Sequence, residues 1–69
     1  MVIQQFIDIE TLQLIKKDVI SNADFIKLSI GDEVWIPRPK DPSLHLIIQQ
    51  VVAEFDCKGL IMLIRYYVD

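Results

Sequence analysis

Two residues of this chain have side chains typical of catalysis or metal binding, the single histidine His45 and the single cysteine Cys57. A catalytic thiol or imidazole needs an orienting partner, and a structural zinc ion needs four ligands. The sequence around His45 and Cys57 supplies neither, so it predicts no catalytic residue, no metal ligand and no cofactor. A small enzyme or metal protein that joins His45, Cys57 and nearby carboxylates, for example across a dimer interface, is the second alternative.

Acidic residues occur in two groups that could hold a metal or exchange a proton, Asp32 with Glu33 and Glu54 with Asp56. Both groups also have a structural explanation. Asp32 follows Gly31 at a predicted turn, where a short carboxylate hydrogen-bonds to the backbone, and Glu54 and Asp56 flank a predicted hairpin turn. We therefore interpret these carboxylates as turn-forming and solubilising groups.

Cations and tyrosines offer the best polar surface, formed by Arg38, Lys40, Arg65, Tyr66 and Tyr67. This mixture is typical of protein interfaces and also of grooves that bind single-stranded nucleic acid. The chain has 7 Lys and Arg against 10 Asp and Glu, a net charge of −3, whereas nucleic-acid affinity depends on cations that neutralise phosphates. A protein partner is therefore favoured. Nucleic-acid binding through Arg38, Lys40, Arg65 and the tyrosines is the first alternative.

The length of 69 residues predicts a single domain, residues 1–69, with little interior. A chain this short buries roughly 60% of the surface that its unfolded form exposes, so small domains usually need disulfides, a metal or a partner. One cysteine cannot form an internal disulfide, and 52% of the residues are hydrophobic. We therefore expect a homodimer or a small subunit of a larger complex.

No targeting or membrane-spanning segment is predicted. Residues 1–15 contain Asp8 and Glu10 and lack the basic stretch that begins a signal peptide. The longest uncharged apolar run, residues 60–64, is too short to cross a bilayer. With the unpaired Cys57, which suits a reducing compartment, these features predict a cytoplasmic protein without membrane contact.

The C-terminal half predicts a long β-hairpin. Residues 44–55 and 60–68 are rich in β-branched and aromatic residues, and Asp56 and Gly59 stand at the first and fourth positions of a type I turn. On the last strand one row is wholly apolar: Leu60, Met62, Ile64, Tyr66 and Val68. The opposite row is half apolar: Ile61, Leu63, Arg65 and Tyr67.

The preceding strand of the hairpin also carries apolar residues on both faces. Alternation predicts one face with Ile47, Val51, Ala53 and Phe55. It predicts the other face with Leu46, Ile48, Gln50, Val52 and Glu54. One side of such a hairpin can line a barrel interior, and the other needs the N-terminal segment or a second subunit.

The N-terminal thirty residues fit two patterns. Residues 2–8 are predicted as a strand, and Asp8 can cap a helix over residues 9–19, where apolar residues recur at near-helical spacing. A strand there would require a slip in the alternation at Glu10 and Thr11. Residues 25–30 are expected to be extended and to pack inward through Phe25, Ile26, Leu28 and Ile30.

A Gly-Asp turn at residues 31 and 32 precedes a short predicted strand of Val34, Trp35 and Ile36, which Pro37 ends. Trp35 is interpreted first as core or edge packing and second as a binding anchor. All three prolines fall between residues 37 and 43, which predicts a loop.

Residues 28–69 resemble the Tudor-like small barrels, which use a GD-x-V-W strand followed by a hairpin. The matching residues are Gly31, Asp32, Val34, Trp35, Val51, Val52, Gly59, Tyr66, Val68 and Asp69. The resemblance implies a small barrel. It does not imply a methyl-lysine reader, because those readers surround a cation with several aromatic rings and this chain has none between Pro37 and Gln50.

Together these features predict a mainly β fold, a small antiparallel Tudor-like barrel or strongly bent sheet with a C-terminal hairpin and one short N-terminal helix. The predicted function is a non-catalytic protein-interaction module, for example an accessory or regulatory protein of a phage or mobile element. The residues expected to contact the partner, or a second copy, are Trp35, Arg38, Lys40, Ile61, Leu63, Arg65 and Tyr67.

Overall fold

The computed structural model describes residues 1–36 and 45–69, which form one five-stranded sheet curled into a half-barrel. The strands are β1 (Val2–Asp8), β2 (Leu14–Ile20), β3 (Glu33–Trp35), β4 (His45–Phe55) and β5 (Ile61–Val68). Their order across the sheet is β2-β1-β5-β4-β3. The mainly β, barrel-like fold expected from the sequence is therefore confirmed.

The C-terminal hairpin of β4 and β5 is antiparallel, as the sequence predicts. Its turn is closed by Asp56, whose carboxylate accepts hydrogen bonds from the backbone N–H groups of Lys58 at 2.8 Å and Leu60 at 3.0 Å. Gly59 has a φ of 83°, in the left-handed region that glycine adopts without strain. The turn chemistry of residues 56–59 thus decides where the hairpin folds back.

The sheet is mixed, and the expectation of a purely antiparallel sheet is wrong. β1 lies beside β5 and runs parallel to it, with Ile3 opposite Leu63 and Phe6 opposite Tyr66. A parallel pair needs a long connection between its strands, and here β2, β3 and β4 intervene. The N-terminal strand therefore extends the hairpin sideways instead of covering either of its faces.

The prediction of a helix over residues 9–19 is also wrong, although Asp8 forms the hydrogen bonds expected of a helix cap. The Asp8 carboxylate accepts hydrogen bonds from the N–H groups of Glu10 at 2.9 Å and Thr11 at 3.4 Å, as at a helix start. The chain then reverses at Leu12, whose φ is 59°, and pairs β2 with β1. Long-range pairing of the β-branched residues in β2 has overridden the local helical signal.

The core lies on one face of the sheet, which we call the core face. The fully or nearly buried apolar residues are Val2, Phe6, Ile36, Leu46, Ile48, Ile64, Tyr66 and Val68. The segment 21–32 covers this face, and Phe25 and Leu28 pack against the core as predicted. Ile26 is 76% exposed and Ile30 is also exposed, so the expectation that they pack inward is wrong.

The Gly-Asp turn predicted at residues 31 and 32 is present and joins the covering segment to the sheet. The N–H of Gly31 donates to the carbonyl of Ile48 at 2.8 Å, and the N–H of Ile48 donates to the carbonyl of Asp32 at 3.0 Å. The Asp32 carboxylate accepts a hydrogen bond from the N–H of Ser29 at 2.8 Å. The turn is therefore held by hydrogen bonds to Ile48 of β4 and to Ser29 of the covering segment.

Tyr66 connects three parts of the fold. Its side chain is fully buried, and its ring stacks on Phe6 of β1 with the ring centroids 5.2 Å apart. Its hydroxyl oxygen accepts a hydrogen bond from the backbone N–H of Leu28 at 3.0 Å. The covering segment is thus tied to the central strand of the sheet.

We predict that Tyr66→Phe lowers the free energy of unfolding by about 1–2 kcal/mol, because the N–H of Leu28 loses its acceptor in a site with little access to water. Urea unfolding followed by circular dichroism measures the change. The matched control is Tyr67→Phe on the opposite face, expected within about 0.5 kcal/mol of the native chain. Equal losses in both variants would contradict the assignment.

Burial raises the pKa of Tyr66 above its ordinary value of 10.0; the hydrogen bond from Leu28 lowers it and the negative charge of Asp32 raises it further. The unfolded phenol therefore loses its proton at a lower pH than the folded one. We predict that stability falls as the pH rises past about 10, since the native state then binds more protons than the unfolded state. Urea unfolding between about pH 8 and about pH 11 tests this, and Tyr66→Phe should show a shallower decline.

Candidate functional site

The side of the sheet opposite the core carries an unusual number of apolar side chains, and we call it the outer face. On β5 the buried residues Ile64, Tyr66 and Val68 point to the core, so the residues between them point outward. The cross-strand registers extend this side over β1, β2 and β4. The outer face comprises Ile3, Gln5, Ile7, Leu14, Lys17, Val19, Gln50, Val52, Glu54, Leu63, Arg65 and Tyr67.

The outer face is organised in three rows that run across β2, β1, β5 and β4. The upper apolar row contains Val19, Ile3, Leu63 and Glu54. The middle polar row contains Lys17, Gln5, Arg65 and Val52. The lower apolar row contains Leu14, Ile7, Tyr67 and Gln50. Two mainly apolar bands therefore flank a middle band that carries the cations Lys17 and Arg65.

These apolar rows face solvent within the described part of the chain. Leu14 is 51% and Val19 53% exposed, and Ile3, Ile7 and Leu63 are half-buried by their strand neighbours. The segment 21–32 packs on the core face and not on the outer face. The outer face is therefore the side of the hairpin for which the sequence predicts that a further segment or a second subunit is needed. Contiguous exposed apolar surface on a small protein is a candidate interaction site.

A β-bulge decides which residues of β4 reach the outer face. The register shifts between Ile48 and Gln50, so Val51 and Ala53 join Leu46 and Ile48 on the core face. The two faces predicted from uninterrupted alternation are therefore wrong beyond residue 48. An extra residue in one strand exchanges the faces of everything after it, and a simple count of alternation does not reveal it.

The upper apolar row borders a hollow of about 490 Å³. Its walls are Met1, Ile3, Val19, Glu54, Met62 and Leu63. Glu54 is the single charged side chain of this lining, and its carboxylate lies 3.7 Å from Arg65 Nη1. An apolar side chain of a partner fits the chemistry of this hollow better than a charged small molecule does.

The far end of the same side, at β3, presents an exposed aromatic pair. Trp35 is 70% exposed, and its ring centroid lies 5.1 Å from that of His45, its cross-strand neighbour. His45 Nε2 lies 3.2 Å from a carboxylate oxygen of Glu33. Of the first interpretation of Trp35, core or edge packing, the core part is therefore wrong, whereas the ring contact on the edge strand β3 agrees with edge packing. The sequence also missed the two neighbours of His45, because they come from a different strand.

Four residues expected to contact a partner share this side of the sheet, namely Trp35, Leu63, Arg65 and Tyr67. The expectation for Ile61 is wrong, because the register shifts between Glu54 and Phe55 and Ile61 packs against the core. Arg38 and Lys40 fall outside the described residues. The sequence missed Ile3 and Val19, which belong to the same surface. The alternation of residues 2–8 could have placed Ile3 on this face. Val19 could not be placed there, because the sequence predicts a helix over residues 9–19.

Within residues 1–36 and 45–69, the two residues of the second alternative, His45 and Cys57, are not brought together. His45 begins β4 and Cys57 follows its end, so these residues lie at opposite ends of an 11-residue strand, roughly 30 Å apart. Cys57 is exposed. Tyr66 is buried, which contradicts its place in a polar surface with Arg65 and Tyr67.

Comparison of the chain with protein-family models, curated proteins and solved structures found no match. Among residues 1–36 and 45–69, no helix is long and apolar enough to cross a membrane. The geometry of the outer face and of the Trp35 corner is therefore the basis for assigning a function.

Because Trp35 is the single tryptophan, its fluorescence reports directly on this corner. We predict a red emission maximum and efficient acrylamide quenching in the folded protein, both close to those of the urea-unfolded chain, since the ring is largely exposed. His45→Ala should change the emission intensity by removing the ring contact while leaving the quenching efficient. A blue-shifted, poorly quenched tryptophan would contradict this geometry.

Proposed function

We propose that this chain is a small non-catalytic protein-interaction module whose outer face is the binding surface. The single observation that carries the proposal is the pair of apolar rows that remain open to solvent on a sheet whose other face already holds the core. A surface of this kind gains free energy when a partner removes it from water.

The composition of the outer face supports a protein partner. Aliphatic side chains, Tyr67 and Arg65 are combined on one side of the curled sheet, and the exposed Trp35 adds an anchor of the kind that dominates binding energy at interfaces. The hollow beside Leu63 would accept an apolar side chain of the partner. These features need no cofactor.

Neither alternative has comparable support. Nucleic-acid binding loses one of its aromatic residues because Tyr66 is buried, and Arg65 lies beside the carboxylate of Glu54. Catalysis by His45 and Cys57 would need two chains to bring them together. We assign the protein to the cytoplasm, because the exposed, unpaired Cys57 suits a reducing compartment.

Two substitutions of the same residue type test the proposal. Ile3→Lys inserts a charge into the upper apolar row, and Ile26→Lys inserts the same charge on the exposed covering segment, away from the outer face. Each variant and the native chain serve as bait in an extract of the organism that encodes it. Each captured protein is then purified and titrated against all three chains by calorimetry.

We expect Ile3→Lys to weaken binding by about 30-fold, as the loss of an interface hot spot does, and Ile26→Lys to bind like the native chain. Leu63→Lys is the second test variant, and circular dichroism establishes that each variant is folded. Partners that bind all four chains equally, or no bound protein together with a catalytic turnover, would overturn the proposal.

A further inference from the structure

The pattern of the outer face is compatible with a copy of itself. We infer that a second copy of this chain packs on the outer face about a two-fold axis that runs between β1 and β5, parallel to these strands. The inference rests on the proposed function and names the partner for the same surface. An axis of this kind exchanges β1 of one copy with β5 of the other, and β2 with β4.

On the two central strands, apolar residues meet apolar residues under this operation, whereas at the flanks Val19 meets Glu54 and Leu14 meets Gln50 of the second copy. Ile3 lies opposite Leu63 of the second copy, because both occupy the upper row on the exchanged strands. Ile7 lies opposite Tyr67 of the second copy for the same reason in the lower row. Each contact occurs twice in the dimer, so β1 and β5 of the two copies form apolar contacts that exclude water.

Charges select this axis over its main competitor. In the middle row, Arg65 meets the amide of Gln5 of the second copy, and Lys17 meets Val52 and lies one row from Glu54 of the second copy. An axis running across the strands would instead place Lys17 on Lys17 and Arg65 on Arg65. Like charges brought together at an interface are strongly unfavourable, so the axis along the strands is preferred.

The edges of the sheet disfavour association by strand addition. The edge strand β2 carries Lys16, Lys17 and Asp18 at its centre, and a two-fold pairing of β2 with itself centred on Lys17 would oppose two lysines. The other edge strand, β3, has three residues. Charged and very short edge strands are the usual protection against edge-to-edge pairing, which leaves the face for association.

The area of the face is near the lower limit for a dimer. Four strands at about 4.8 Å spacing and seven residues at about 3.3 Å rise give a footprint of roughly 19 by 23 Å. Side chains roughen this footprint, so two copies together bury on the order of 1,000 Å², the lower limit for a specific interface. The dimer also supplies the burial that a chain of 69 residues lacks.

Sedimentation equilibrium of the purified full chain tests the oligomeric state. We expect a monomer–dimer equilibrium whose dissociation constant rises at least ~10-fold in Ile3→Lys and stays unchanged in Ile26→Lys. A native chain that is monomeric at several hundred micromolar, or a dimer weakened by Ile26→Lys instead, overturns the inference. A monomer whose outer face still binds a different protein overturns this inference and leaves the proposed function intact.

Cross-linking tests the axis. In a Cys57→Ser background, Lys17→Cys and Val52→Cys are prepared separately, mixed and treated with a short bismaleimide. The proposed axis predicts a cross-linked product that contains one chain of each variant and little product from either variant alone. The axis across the strands predicts the reverse, because each residue would then face itself, and that result overturns the proposed geometry.

Discussion

The fold depends on one buried tyrosine. Tyr66 lies on the strand at the centre of the sheet, stacks on Phe6 of the parallel neighbour and holds the covering segment through the N–H of Leu28. This hydrogen bond adds to the packing of Phe25 and Leu28 and to the backbone hydrogen bonds between the Gly-Asp turn and Ile48, which also hold the segment 21–32 on the core face. A buried hydroxyl that meets a buried N–H satisfies a polar group that would otherwise oppose folding.

Covering the core face uses the only long connection among the described residues. Once segment 21–32 lies on that side, the strands on the other side keep their aliphatic residues in contact with water. The described segments thus leave the apolar outer face without a cover. Association is the physical solution that a short, hydrophobic chain without disulfides has available, and it underlies both proposals.

The charged residues of the sheet direct that association. Lysines and an aspartate at the centre of β2 protect the edge, and Lys17 and Arg65 divide the outer face into bands. A uniform apolar face would accept many partners in many orientations. A banded face restricts the number of favourable arrangements, because some arrangements bring like charges together.

Local chemistry made the hairpin, the Asp56–Gly59 turn, the Gly-Asp turn and the two-sided apolar pattern predictable from the sequence, because each depends on residues near one another in the chain. The tertiary structure alone decided the rest. Residues 14–20 became a strand because β1 offered long-range partners, β1 lies parallel to β5, and the bulge near Gln49 exchanged the faces of β4. Pairing between distant segments outweighs local propensity, and no pattern of neighbouring residues encodes which distant strand will be the partner.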